Sequence, residues 1–406
     1  MSSEIRSIED VDVKGKLILV RADLNVPLKG NVITDSTRID RFLPTAKGLA
    51  ARGARVVIMS HLGRPEGEAN PTFSLAPIAK ELAEKLGANV RFSSDCVGSA
   101  AESMVHELND GDVALLENLR FHKGETNNDD TFATRLSVLA DIYVNDAFST
   151  AHRAHASTDA ITRKLPSYAG PSLMAEINAL SSALTEPEKP VAALVGGAKV
   201  SSKIGVLEYL VPKMDKLIIG GGMANTFLAA LGYEVGKSLC EMDALDTARS
   251  IMEKAKASGC ELILPEYVVV AKEFAAGAAN EVVAIDAIPE DAMALDVGPA
   301  SEATTIEALK SCKTLLWNGP LGAFEIEPFG HGTFAVAKAA AELTKQGKLI
   351  TVAGGGDTAA ALNAAGASND FTYLSTAGGA FLEWLEGREL PGVAALIQSS
   401  NKTEAA

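Results

Sequence analysis

Cysteine is scarce and scattered. Cys96, Cys240, Cys260 and Cys312 form no C-x-x-C pair and no metal-ligand spacing, a pattern that excludes a disulfide framework and reads as reduced thiols in a cytosolic chain. Uncharged apolar runs of about 18 residues are missing, so no segment reads as a membrane span. The first twelve residues are polar and acidic rather than signal-like. Positive charge is short too: a formal net charge of −15 argues against a general nucleic-acid surface. The common phosphate loop G-x-x-x-x-G-K-[ST] does not occur, and neither does an evident nucleophile with its acid–base partner.

What is present is a chain of 406 residues, 47% apolar and 22% charged, long enough for about two domains with a core each. Its arginines are unevenly placed. Of 14, 12 precede residue 175, and an arginine-rich half points to recognition of a small anion by planar guanidinium forks. Short apolar segments at 16–20, 55–60, 113–117 and 141–145 predict strands. Each runs into a loop with Arg or His: Arg21 to Pro27, with Asp23 and Asn25; His61 to Pro65, with Arg64; Asn118 to His122, with Arg120; and Asp146 to Arg153. Helical stretches between them imply a parallel sheet, which places such loops on one edge. Arg21, Arg38, His61, Arg64, Arg120 and Arg153 are therefore expected to converge on a multiply charged anion. Arg38 falls in the first turn of a predicted helix, where a cation opposes the helix dipole unless an anion faces it.

A helical pattern over residues 172–184 precedes Thr185-Glu186-Pro187-Glu188-Lys189-Pro190, a proline-rich boundary. The second half repeats the rhythm, with strands predicted at 191–195, 216–219, 261–264, 314–317 and 348–352, but its loops are rich in glycine. Val195-Gly196-Gly197-Ala198-Lys199 leads into a predicted helix that sets Lys199 and Lys203 one turn apart. Gly220-Gly221-Gly222, Asp296-Val297-Gly298-Pro299, Asn318-Gly319-Pro320 and Gly354-Gly355-Gly356-Asp357-Thr358 are read as further loops. Glycines permit close backbone approach to the phosphates and base of a nucleotide. Gly354 to Ala359 also fits the dinucleotide fingerprint, but no acidic residue follows about 20 positions on to hold a ribose. Asp357 beside phosphates makes sense with Mg²⁺ between them; the alternative is a cap for the following helix. Gly378 and Gly379 open another helix whose first N–H groups can hold a phosphate. Residues 390–393 are expected to be extended and docked, and 401–406 to be disordered.

Taken in order, these loops resemble those of the phosphoglycerate kinase family over nearly the whole chain. The resemblance implies an α/β fold of two doubly wound parallel-sheet domains, joined by a helix, with a cleft between them: 1–172 plus a returning tail at about 388–406 for phosphoglycerate, 173–187 as hinge, and 188–387 for nucleotide. It implies reversible phosphoryl transfer between 1,3-bisphosphoglycerate and ADP, giving 3-phosphoglycerate and Mg-ATP, by a cytoplasmic monomer. Carried over by position, Asp23, Asn25, Arg38, His61, Arg64, Arg120 and Arg153 match the family's phosphoglycerate site. Gly197, Lys199, Lys203, Gly221, Glu325, Gly355, Gly356, Asp357 and Thr358 match the nucleotide site, with Asp357 near the metal and Glu325 near the ribose. Arg38, Lys199, Gly378 and Gly379 are the expected catalytic groups. Ser202, where many relatives carry Asp, and Ala377, where the turn often has a third glycine, depart from the pattern. Two other readings use the same loops: an NAD-linked dehydrogenase and a nucleotide-binding protein without catalysis.

Overall fold

A computed structural model describes residues 4–404. The chain forms two compact units, Met1–Asn178 with Glu389–Ala406, and Ala179–Arg388. The change of unit falls inside a helix, Pro171–Leu184.

In the first unit the strands are β1 (Leu17–Arg21), the hairpin pair β2 (Leu28–Lys29) and β3 (Val32–Ile33), β4 (Arg55–Met59), β5 (Val90–Phe92), β6 (Val113–Leu115), β7 (Ile142–Asn145) and β8 (Ser167–Ala169). Six of them make one parallel sheet in the order β5-β6-β4-β1-β7-β8. Parallel strands are covered on both faces and so need apolar residues at consecutive positions. Ile18, Leu19 and Val20 of β1 have no exposed surface. Register fixes where the loops emerge: Arg21 pairs with Met59 and with Asn145. The segments after these strands therefore leave from one edge, and the order reverses beside β1, where open α/β sheets form their ligand crevice. β5 and β8 were not expected; Val90-Arg91-Phe92 and Ser167-Tyr168-Ala169 are short edge strands without a continuous apolar run.

The tail differs from its expectation. Pro391–Glu404 is a helix, not an extended segment followed by disorder from 401; residues 405 and 406 lie outside the described part. Leu390, Val393 and Leu396 are buried, and the Gly392 N–H donates to the Ala151 carbonyl at 2.8 Å, so apolar burial on the first unit orders the segment.

The second unit has β9 (Val191–Val195), β10 (Lys216–Ile219), β11 (Glu261–Ile263), β12 (Tyr267–Ala271), β13 (Asn280–Ala284), β14 (Met293–Val297), β15 (Thr314–Asn318), β16 (Ile350–Gly354) and β17 (Tyr373–Ser375). Its parallel sheet runs β11-β10-β9-β15-β16-β17, and β13-β12-β14 form a separate sheet, antiparallel in both pairings. Asp296 and Val297, expected in a loop, end β14 instead, with Val268 paired to Val297. The order reverses beside β9, so the switch point lies between Val195 and Asn318, which are register partners.

Candidate active site

Each unit carries a group of the candidate residues at the carboxyl ends of its strands. In the first, Arg21 is wholly buried. Its Nε donates to Ser157 Oγ at 2.9 Å, Nη1 to the Ala22 carbonyl at 2.6 Å, and Nη2 lies 2.9 Å from His61 Nδ1. A guanidinium only donates, so Nδ1 of His61 is the unprotonated nitrogen. Arg21 was expected to face the anion; its three contacts make it the support of His61 instead. Burial first, then the charges of Arg21, Arg120 and Arg38, push the His61 pKa well below 6.5.

Arg120 donates to the Gly63 carbonyl at 2.7 Å, and its pKa is lowered to about 10 by burial, then by Arg21 and Arg153, with Arg64 a smaller contribution. Arg38 pairs with Asp23 at 2.9 Å. The other oxygen of Asp23 accepts from Ser149 Oγ at 2.6 Å, and Asn25 Oδ1 accepts from the Gly63 N–H at 2.9 Å. Arg64 and Arg153 are exposed. The structure thus gathers Arg38, Arg64, Arg120 and Arg153 around the neutral His61 in one field of mutually repelling guanidinium groups, which favours an incoming polyanion.

Sequence reasoning missed the group beneath them. Glu125 is fully buried; its carboxylate accepts from the Ser157 N–H at 3.0 Å and Ser157 Oγ at 2.6 Å, and His155 Nδ1 lies 3.7 Å away. Burial opposes its charge, yet His155, Arg21 and Ser157 together bring its pKa below the usual value. Ser157 therefore links the buried carboxylate to Arg21. Nothing in the local pattern at 123–126 signals this.

In the second unit Gly196 and Gly319 cross at the switch point. A Cβ on Gly196 would lie 1.9 Å from the Pro320 carbonyl oxygen, and one on Gly319, at φ +103°, would lie 2.2 Å from the Gly196 carbonyl oxygen. A Cβ on Gly221 would sit 2.7 Å from the Gly197 carbonyl oxygen. Several of these glycines thus let strand-end loops approach one another, whereas Gly197, Gly356 and Gly378 face open space.

Lys199 and Lys203 are not one helical turn apart, because the helix begins only at Ile204. Lys199 is exposed in the loop before the helix. Lys203 Nζ bonds Asn318 Oδ1, and burial lowers its pKa against the attraction of Asp357 and Glu386. Ser202 is exposed, and its Oγ donates to the Lys199 carbonyl at 2.8 Å. Ser201 is tied to Glu241 by bonds of 2.9 and 2.6 Å.

Gly356–Ala364 is a helix whose cap position is Gly355, with Asp357 in the first turn. Asp357 is therefore not the cap, and its exposed carboxylate remains available. Thr358 is buried, and its hydroxyl accepts from the Gly319 N–H at 2.7 Å. Ala377 precedes the helix Gly378–Leu385 at φ −91°, ordinary for an L-residue, so the missing glycine leaves that turn unstrained.

A cavity of about 500 Å³ opens beside these loops, lined by Gly197, Gly221, Glu325 and Asp357 among the predicted residues, and by Lys237, Leu239 and Phe274, which were not predicted. Lys199, Lys203, Gly355, Gly356, Thr358, Gly378 and Gly379 lie outside its lining. A largely apolar pocket with a few polar groups is the usual form of a small-molecule site.

The phosphoglycerate kinase family model matches residues 8–388. The chain belongs to the phosphoglycerate kinase family. The phosphoglycerate kinase of Agrobacterium fabrum is 58% identical over 392 residues, covering 96% of this chain and 98% of the relative. That of a Methylorubrum extorquens strain is 58% identical over 395 residues, covering 97% and 99%. Among solved structures, phosphoglycerate kinase from Coxiella burnetii superposes with a TM-score of 0.91 at 45% identity, covering 97% and 99% of the two chains. The Pyrococcus horikoshii phosphoglycerate kinase does so at 0.82 and 31%, covering 98% and 100%. The chain is thus a phosphotransferase of this family, and neither the dehydrogenase nor the non-catalytic reading draws support from these matches.

Proposed function

We propose that the chain transfers a phosphoryl group reversibly between 1,3-bisphosphoglycerate and ADP, giving 3-phosphoglycerate and ATP, as a cytoplasmic monomer. The observation that supports this most is the pairing of two unlike sites. One is a surplus of cations around His61 and Arg120, suited to a phosphorylated carboxylate. The other is a cavity beside glycine turns, suited to a nucleotide.

Both nucleophiles, a carboxylate oxygen and a terminal phosphate oxygen of ADP, are anionic at neutral pH, so no general base is required. Catalysis then reduces to positioning and charge neutralisation. Asp23, Asn25, His61, Arg64, Arg120 and Arg153 hold the phosphoglycerate, and Arg38 neutralises charge on the transferring group. Gly197, Gly221 and Glu325 hold the nucleoside, while Lys199, Lys203, Gly355, Gly356 and Thr358 shape the phosphate end. The N–H groups of Gly378 and Gly379 serve the transferring group. Asp357 fits a magnesium ion, since Mg²⁺ is usually bound by one or two carboxylates together with substrate phosphates and this carboxylate is exposed at the cavity wall. Mg²⁺ bound with the nucleotide supplies neutralisation of phosphate charge.

Residues 1–172 with 388–406 form the phosphoglycerate domain in this reading, 188–387 the nucleotide domain, and 173–187 the hinge about which they close to exclude water. A coupled assay of ATP-dependent phosphorylation of 3-phosphoglycerate tests it. Turnover without NADH binding is expected; a folded protein with no turnover on this pair would overturn it.

A further inference from the structure

A second group of side chains lies on the first unit, apart from the residues assigned to the reaction. Asp95 follows β5, and His122 follows the turn after β6; these strands pair, with Phe92 opposite Leu115, so the two loops are neighbours. His122 Nε2 is 2.7 Å from Asp95 Oδ1. Cys96 is buried directly behind, and the ligand-type atoms of Asp95, Cys96 and His122 all lie within 4.8 Å of one another. We propose that Asp95, Cys96 and His122 form a binding site for a borderline-soft divalent cation of the Zn²⁺ type, pinning the loop after β5 to the loop that carries Arg120.

The donor set supports this choice: one thiolate, one imidazole and one carboxylate with a fourth position left to water suit Zn²⁺, whereas Mg²⁺ and Ca²⁺ take oxygen. Tetrahedral Zn²⁺ places its ligand atoms about 3.3 to 3.8 Å apart. The His122–Asp95 contact must therefore open by somewhat over half an ångström and the sulfur must move in, while Asp95 Oδ1 keeps the Cys96 N–H it accepts at 2.6 Å. The His122 ring is already oriented by stacking on Phe132, with centroids 5.2 Å apart. Asp95 and His122 are 42% and 27% exposed, which gives the ion a path from solvent to the sulfur.

Burial first, then Asp95 and Glu125, hold the proton on Cys96, so the ion must displace it. On binding, the Cys96 thiol loses its proton to solvent and the sulfur–metal bond forms. The proton that His122 Nε2 donates to Asp95 passes by tautomer exchange to Nδ1, which frees Nε2 to bond the ion and leaves the thiol proton as the one released. Affinity should therefore rise with pH. The site stands independently of the reaction proposed above.

The test uses the full chain and Co²⁺ as a spectroscopic stand-in for Zn²⁺. Cys96 is the only cysteine of the first unit, so a thiolate-to-cobalt charge-transfer band is assignable. One Co²⁺ per chain, a near-ultraviolet thiolate band, displacement by Zn²⁺ and release of about one proton are expected. Cys96→Ser should abolish the band. Loss of an outer-sphere partner weakens metal sites about 10- to 100-fold, so His122→Gln, which removes a ligand, should weaken binding at least about 100-fold. His122 is partly exposed, so this variant tests the site even if Cys96→Ser fails to fold. Absence of the band in the wild type, its survival in Cys96→Ser, or unchanged affinity in folded His122→Gln would overturn the proposal.

Discussion

Arg38 and His61 show how much a single charged group depends on its neighbours. Arg38 keeps one carboxylate partner, Asp23, and is about one-third exposed, so its charge is held in place without being used up internally. Arg38→Ala is predicted to lower kcat by roughly 10³- to 10⁵-fold, by analogy with arginine fingers, while nucleotide KM changes little; steady-state kinetics checks this, and unchanged turnover would remove Arg38 from the mechanism. His61 is neutral because it is buried among cations and accepts from Arg21. When unfolded it takes a proton as pH falls through about 6.5, whereas folded it does not until much lower pH. The unfolded state then binds more protons, so this group's effect is full stability above 6.5 and a loss of stability below it. His61→Gln should flatten the fall in thermal midpoint between about pH 6.5 and 5. A slope equal to that of the wild type would show that His61 does not titrate in this way.

At the scale of elements, the glycines divide by function. Gly196 and Gly319 permit two strand ends to cross, and added methyl groups would meet backbone carbonyls that no side-chain motion can relieve. Gly319→Ala adds an unfavourable φ to that overlap and is predicted to destabilise the second unit by about 1 to 3 kcal/mol. Gly356→Ala, in open space at a helix start, should leave stability unchanged or slightly raised. Thermal unfolding of the two variants side by side decides between crossing and ligand contact as the reason for the Gly319 position. Equal behaviour would contradict the crossing.

For the molecule as a whole, the tail ties the end of the chain to its beginning. Leu390, Val393 and Leu396 are nearly inaccessible, and burying each such side chain stabilises by about 1.5 to 3 kcal/mol. Ending the chain at Arg388 should lower the stability of the first unit while the second keeps its hydrogen-exchange protection; equal loss in both would show the tail serving the second unit as well. It should also weaken anion binding, because Gly392 holds Ala151, two residues before Arg153. The closure proposed for catalysis belongs to this scale too. Small-angle scattering should give a smaller radius of gyration with 3-phosphoglycerate and Mg-nucleotide together than with neither, and an identical radius would count against closure.

The sequence alone determined the two parallel sheets and the family. Strands buried on both faces must be apolar at consecutive positions, so 191–195 and 216–219 were legible to the residue, and the ordered loops after them carried the resemblance. Short edge strands such as β17 and the antiparallel sheet β12 to β14 left no comparable period. Tertiary structure alone decided what each functional side chain faces. Arg21 was indistinguishable in sequence from Arg120, yet it bonds Ser157, 136 positions away. Lys203 bonds Asn318, 115 positions away, and no local pattern contains such a distance. Local periodicity records which face of a segment is buried, but the partner that a buried charge will find depends on segments brought alongside only when the sheet has formed.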